Sequence, residues 1–126
     1  MDPVTAAIAA GAAAGRAGNA PTAVRGAYDA LKARLGEHFP RLDVGALEEH
    51  PESPVTQALL AAELVKVGAD HDREVARLAW ALVGAIAREA PQAAVTAGVD
   101  LDGVKAQFVN VQLVNGGIGA SRESDS

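Results

Sequence analysis

The chain contains no cysteine, which excludes disulfides, thiol catalysis and thiolate-held metal together. Aromatic residues are almost as scarce. Tyr28, Phe39, Trp80 and Phe108 are the full set, although hydrophobic residues make up 49% of the 126. A core with so few rings has to be built from Ala, Val and Leu, which suits helices packed at short range. A single domain of this length buries roughly two thirds of its unfolded surface, enough for a core without covalent staples. Long apolar runs are also missing. The longest, residues 6–15, falls short of the roughly 18 residues of a membrane span. Asp2 is the one charge that precedes it, so the basic flank of a secretion signal is lacking. Basic excess is absent too: the formal net charge is −5, and the 11 Lys and Arg residues are scattered. That argues against a nucleic-acid partner, which needs a basic stripe. Together these features predict a cytoplasmic protein with neither a nucleic-acid nor a membrane partner. A cysteine-free chain is compatible with a reducing compartment. The abundance of Ala, Gly, Val, Arg and Asp points to a bacterial coding sequence of high GC content.

What is present reads mainly as helix. Residues 1–16 form a small-residue helix that Asp2 can cap and Pro3 can open. Gly11 and Gly15 share one face of it, where another backbone could approach closely. Pro21 opens a second helix to about Leu35, with Val24, Ala27, Tyr28, Leu31 and Leu35 at helical spacing and Gly36 at the C-cap position. Residues 43–50 fit a short helix between Asp43 and Pro51. Ser53-Pro54 is a start signal for a third long helix, whose apolar arc runs through Val55, Ala58, Leu59, Ala62 and Val65 to a stop at Gly68. Asp70 or Asp72 caps the fourth, which runs to about Glu89 and is apolar over enough of its circumference to be central. Residues 92–97 fit one further turn after Pro91.

Beyond Gly98 the pattern changes. Residues 104–119 read as β-strand, with Phe108, Val109, Val111, Leu113 and Val114 supplying β-prone weight. Asn110 and Gln112 alternate with Val109, Val111 and Leu113, a period of two. Asn115-Gly116 is a favoured hairpin turn, although the return strand it would start is glycine-rich. An unpaired strand leaves its backbone groups unsatisfied, so this one needs a partner. The partner is its own bundle, another protein, or copies of itself stacked in register with ladders of Asn110, Gln112 and Asn115.

Val111-Gln112-Leu113 followed by glycines resembles the RIP homotypic interaction motif of innate-immune adaptors and its bacterial analogues, short amyloid signalling motifs with an apolar–Gln–apolar–Gly core. The pattern departs at Val114, where the motif has glycine; Gly116 and Gly117 come later. The overall plan, a small helical head with such a segment, resembles the helical adaptor modules of bacterial conflict systems. That resemblance implies a signalling role without catalysis.

Residues for catalysis were sought and explained otherwise. His38, His50 and His71 are the only histidines. In Asp70-His71-Asp72 neighbouring side chains point apart, and helix capping accounts for the aspartates. Glu48-Glu49-His50 lacks the three- or four-residue spacing of a helical metal pair. No nucleophile elbow occurs, and the glycines at 116–119 are not followed by the helix a phosphate loop needs. No catalytic, cofactor-binding or metal-binding residue is therefore assigned.

The expected fold is all-α: a small four-helix bundle over residues 1–97, a β-prone strand or hairpin at 98–120 and a disordered tail at 121–126. The expected function is a non-enzymatic protein–protein interaction module. It would bind a protein partner or self-associate through Phe108, Val109, Asn110, Val111, Gln112 and Leu113. The alternatives are a small structural or regulatory subunit whose tail completes its own fold, and an enzyme whose histidines converge with carboxylates in a cleft.

Overall fold

The computed structural model describes residues 2–18 and 20–112, with side chains through residue 108. Among these the chain is all-helical. It forms α1 (Pro3–Arg16), α2 (Thr22–His38), α3 (Gly45–Glu49), α4 (Pro54–Val67), a 3-10 turn (Ala69–His71), α5 (Arg73–Glu89), α6 (Pro91–Ala97) and α7 (Leu101–Gln112). The four long helices expected from the sequence are α1, α2, α4 and α5, and α3 and α6 are the short ones. The helix count is nevertheless seven among the described residues, not four.

The small-residue helix α1 occupies the centre and touches each of the other six helices. Its start is firmly set. Asp2 Oδ1 accepts from the Thr5 N–H at 2.9 Å, Thr5 Oγ1 donates to Asp2 Oδ2 at 2.6 Å, and Pro3 stands at the first helical position. Every residue from Val4 to Ala14 is buried. Alanine makes this possible, because short side chains let neighbouring helices approach on all sides. Gly11 carries that logic furthest: a Cβ there would sit 2.5 Å from Tyr28 Cδ1. Gly15, expected to share the close approach, faces open space instead.

α2 and α5 form the most extensive helix pair, joining Val24, Leu31 and Leu35 to Val75, Ala79, Leu82, Val83 and Ile86. The second candidate cap proves to be the real one: Asp72 Oδ1 accepts from the Val75 N–H at 2.9 Å. Arg34 Nη2 donates to the same carboxylate at 3.0 Å and 3.3 Å, fastening the end of α2 to the start of α5. Burial tends to raise the Asp72 carboxyl, but the Val75 N–H and the Arg34 guanidinium outweigh it and hold the group below the usual aspartate value. α2 runs past Gly36 to His38 and stops at Phe39, whose backbone is pushed out of the helical region ahead of Pro40. Gly36 is therefore an interior residue rather than a cap.

The largest departure lies at the C-terminal end. The segment expected to be strand is helix α7 as far as it is described. The left-handed Gly98 (φ 73°) closes α6, and the chain turns back across the bundle. Val104 and Phe108, one helical turn apart, are then buried against α1 and α5. Phe108 is only 3% exposed and meets Trp80 edge-to-face, with ring centroids 5.4 Å apart. Strand preference is weak when a buried surface of another period is on offer, and here the 3.6-residue spacing of the core contacts prevails. Leu113, the Asn115-Gly116 turn and the 121–126 tail lie outside the described residues.

Candidate interaction surface

α4 is apolar on two opposite faces. The inner face buries Gln57, Leu60 and Leu64. The outer face carries Val55, Leu59 and Val65, which are 67%, 61% and 64% exposed, with Ala58 and Ala62 exposed between them. Val55, Ala58, Ala62 and Val65 follow the 3–4–3 spacing of a helix-pairing seam, and Leu59 flanks it. Single exposed apolar residues are ordinary. A contiguous stripe of them along one helix marks a surface for a partner.

Hydrogen bonds set the rotation of α4 that turns this stripe outward. Ser53 Oγ accepts from the Thr56 N–H at 3.3 Å, and Pro54 takes the first helical position. Thr56 Oγ1 donates to the His50 carbonyl at 2.9 Å. The buried Gln57 amide donates from Nε2 to the Pro51 carbonyl at 2.6 Å and to the Ala97 carbonyl at 2.9 Å. A polar residue thus stands at the centre of the inner face, tied to the turn before α4 and to the end of α6. The left-handed Gly68 (φ 81°) ends the helix with its N–H on the last carbonyls.

Elsewhere polar groups are occupied with one another. Tyr28 Oη donates to Glu48 Oε2 at 2.7 Å, and Lys32 Nζ donates to the same oxygen at 2.7 Å, joining α2 to α3. Burial, then the Glu48 carboxylate, pushes the Tyr28 phenol well above its ordinary value. This pair borders a groove of about 330 Å³ between α1 and α2, lined also by Gly11, Gly15, Arg25 and Asp29. The three histidines lie on separate elements. His38 ends α2 beside Arg34, His50 follows α3, and His71 is in the 3-10 turn with its ring in solvent. Among the described residues no group of three or more His, Asp or Glu could hold a metal ion.

Of the interaction residues expected from the sequence, Phe108 faces the protein's own core rather than a partner. Val109, Asn110, Val111 and Gln112 belong to the end of α7, and Leu113 lies beyond the described residues. The outer face of α4 escaped sequence reading because its apolar arc was taken as one inward surface. The signal was present: 55-58-62-65 and 57-60-64 lie on opposite sides of one helix, so a single neighbour cannot cover both.

The all-helical fold is matched by one family model, that of the Het-E N-terminal domain, over residues 1–121. The chain belongs to this family. It is a helical domain of fungal and bacterial heterokaryon-incompatibility and NLR-like conflict systems. No curated protein and no solved structure matches the chain. No helix among the described residues of this Het-E N-terminal domain is long and apolar enough to cross a membrane.

Proposed function

We propose that this Het-E N-terminal domain is a non-enzymatic protein–protein interaction module of a conflict or signalling system, working in the cytoplasm and engaging a protein through the outer face of α4. The observation that carries this reading is the stripe of Val55, Leu59 and Val65, three large apolar side chains held in solvent by a well-anchored helix. Family membership supports the signalling context. The dispersed histidines are consistent with the absence of catalysis. A photo-crosslinking amino acid at position 59 tests the proposal in the producing cells, with one at Ala33, exposed on α2, as the control. Protein adducts at 59 are expected to exceed those at 33 clearly; equal labelling overturns the reading.

A second mode of association rests on Val111-Gln112-Leu113 and its likeness to amyloid signalling motifs. Pairing as strands through Phe108 to Leu113 requires the end of α7 to unwind and Phe108 to leave Trp80. The resulting stack would be dye-binding and seeded by itself. Gln112→Pro, at the last residue of α7, blocks such stacking with little effect on the bundle. Seeded thioflavin fluorescence in the natural chain that disappears in this variant supports the mode, and its absence in the natural chain removes it.

A further inference from the structure

The row of residues along the outer face of α4 identifies what covers it: we infer that the occupant is a second copy of this chain, packed as an antiparallel helix pair about a two-fold axis near Leu59. This rests on the α4 surface proposed above and names its partner. Glu52, Leu59 and Lys66 are spaced seven apart and all three are exposed, with Glu52 one residue before the cap and Lys66 in the last turn. Residues seven apart lie nearly in line along a helix. Laid antiparallel on a copy of itself, this row sets Leu59 against Leu59, Glu52 against Lys66 and Lys66 against Glu52. Laid parallel, it would set glutamate on glutamate and lysine on lysine.

The neighbouring seam fits the same alignment. When Leu59 meets Leu59, the layers of an antiparallel pair place Val55 against Val65 of the second copy and Ala58 against its Ala62. The bulky valines thus close the two ends, and the alanines let the backbones approach between them. One register therefore satisfies shape and charge at once, which is the self-complementarity a two-fold interface requires. α4 is 14 residues long, about 21 Å at ~1.5 Å per residue. A face of that length buries less than the roughly 1,200–2,000 Å² of a stable complex. Pairing is accordingly reversible and governed by local concentration, so tethering several copies together would switch it on.

Analytical ultracentrifugation of the full chain across its soluble concentration range tests the inference. The expected result is a reversible monomer–dimer equilibrium. Leu59→Asp, which brings two carboxylates together at the axis, weakens it by about tenfold or more, or roughly 1.4 kcal/mol. Lys66→Glu weakens it several-fold, and the double variant Glu52→Lys with Lys66→Glu restores it, because the swap recreates both cross-pairs. Circular dichroism of each variant confirms that the helices persist. A chain that stays monomeric at every soluble concentration overturns the inference, as does a dimer indifferent to Leu59→Asp or a double variant as weak as the single. Crosslinks from position 59 to some other protein, together with a strictly monomeric chain, would refute self-pairing while leaving the interaction-module reading intact.

Discussion

α1 and α4 are each 14 residues long, each begins with a capped proline, and each carries few charges, yet one is the centre of the molecule and the other is at its rim. Side-chain size makes the difference. Alanine and glycine give α1 a thin, nearly cylindrical surface that other helices approach from every direction, and eleven consecutive residues are buried. α4 carries Val55, Leu59 and Val65 on one side and Leu60 and Leu64 on the other. One neighbouring layer covers one of those sides. Overall hydrophobicity therefore does not determine how deep a helix sits; the volume its side chains demand from neighbours does.

This contrast can be broken by substitution. The largest effect is expected at Leu64, on the inner face of α4. Leu64→Ala should lower unfolding free energy by about 2–5 kcal/mol in chemical denaturation. A loss as small as that at an exposed site would mean that α4 does not seal the core. Next is Ala10→Leu in α1, where no space exists for three more carbons; overpacking should cost about 1–3 kcal/mol. A neutral outcome would show that α1 is loosely surrounded and would remove the comparison's first half. Asp72→Ala gives a reference outside both helices, with an expected loss of about 1 kcal/mol at neutral pH from the missing cap. The Asp72 carboxyl is held below its ordinary value in the fold, so its contribution is complete above the usual aspartate range and disappears as pH falls. The gap between natural chain and variant should thus narrow below roughly pH 3.9. A gap that widens in acid contradicts the sign. The smallest effect is expected at Leu59: Leu59→Ser should change monomer stability by no more than about 0.5 kcal/mol. A large loss there would mean that this side of α4 is structural rather than free.

The elements most legible in the sequence are those whose ends carry their own chemistry. Asp2-Pro3, Ser53-Pro54 and Gly68 mark helix ends through bonds made within a few residues, and the structure uses each as expected. Gly36 was less informative, because glycine permits a helix to end without obliging it to, and Pro40 ended α2 instead. At residues 104–112 two periods coexist. Alternation in Val109, Val111 and Leu113 suggests a strand, whereas Val104 and Phe108 fit one turn of helix. Nothing local ranks them; the pocket beside Trp80 does. Phe108 moved for that reason from an expected contact residue to a core residue. The outward stripe of α4 was readable only as an apolar arc too wide for one neighbour.

Alone, the sequence determined an all-helical chain built from small apolar residues, with most of its helix boundaries, because capping, proline geometry and side-chain volume act over a few residues. Tertiary structure decided that α1 is central, that residues 101–112 form a helix and that one apolar face of α4 is left to solvent. Those outcomes depend on which surfaces meet. Burial is a property of two elements at once, and no single stretch of chain contains it.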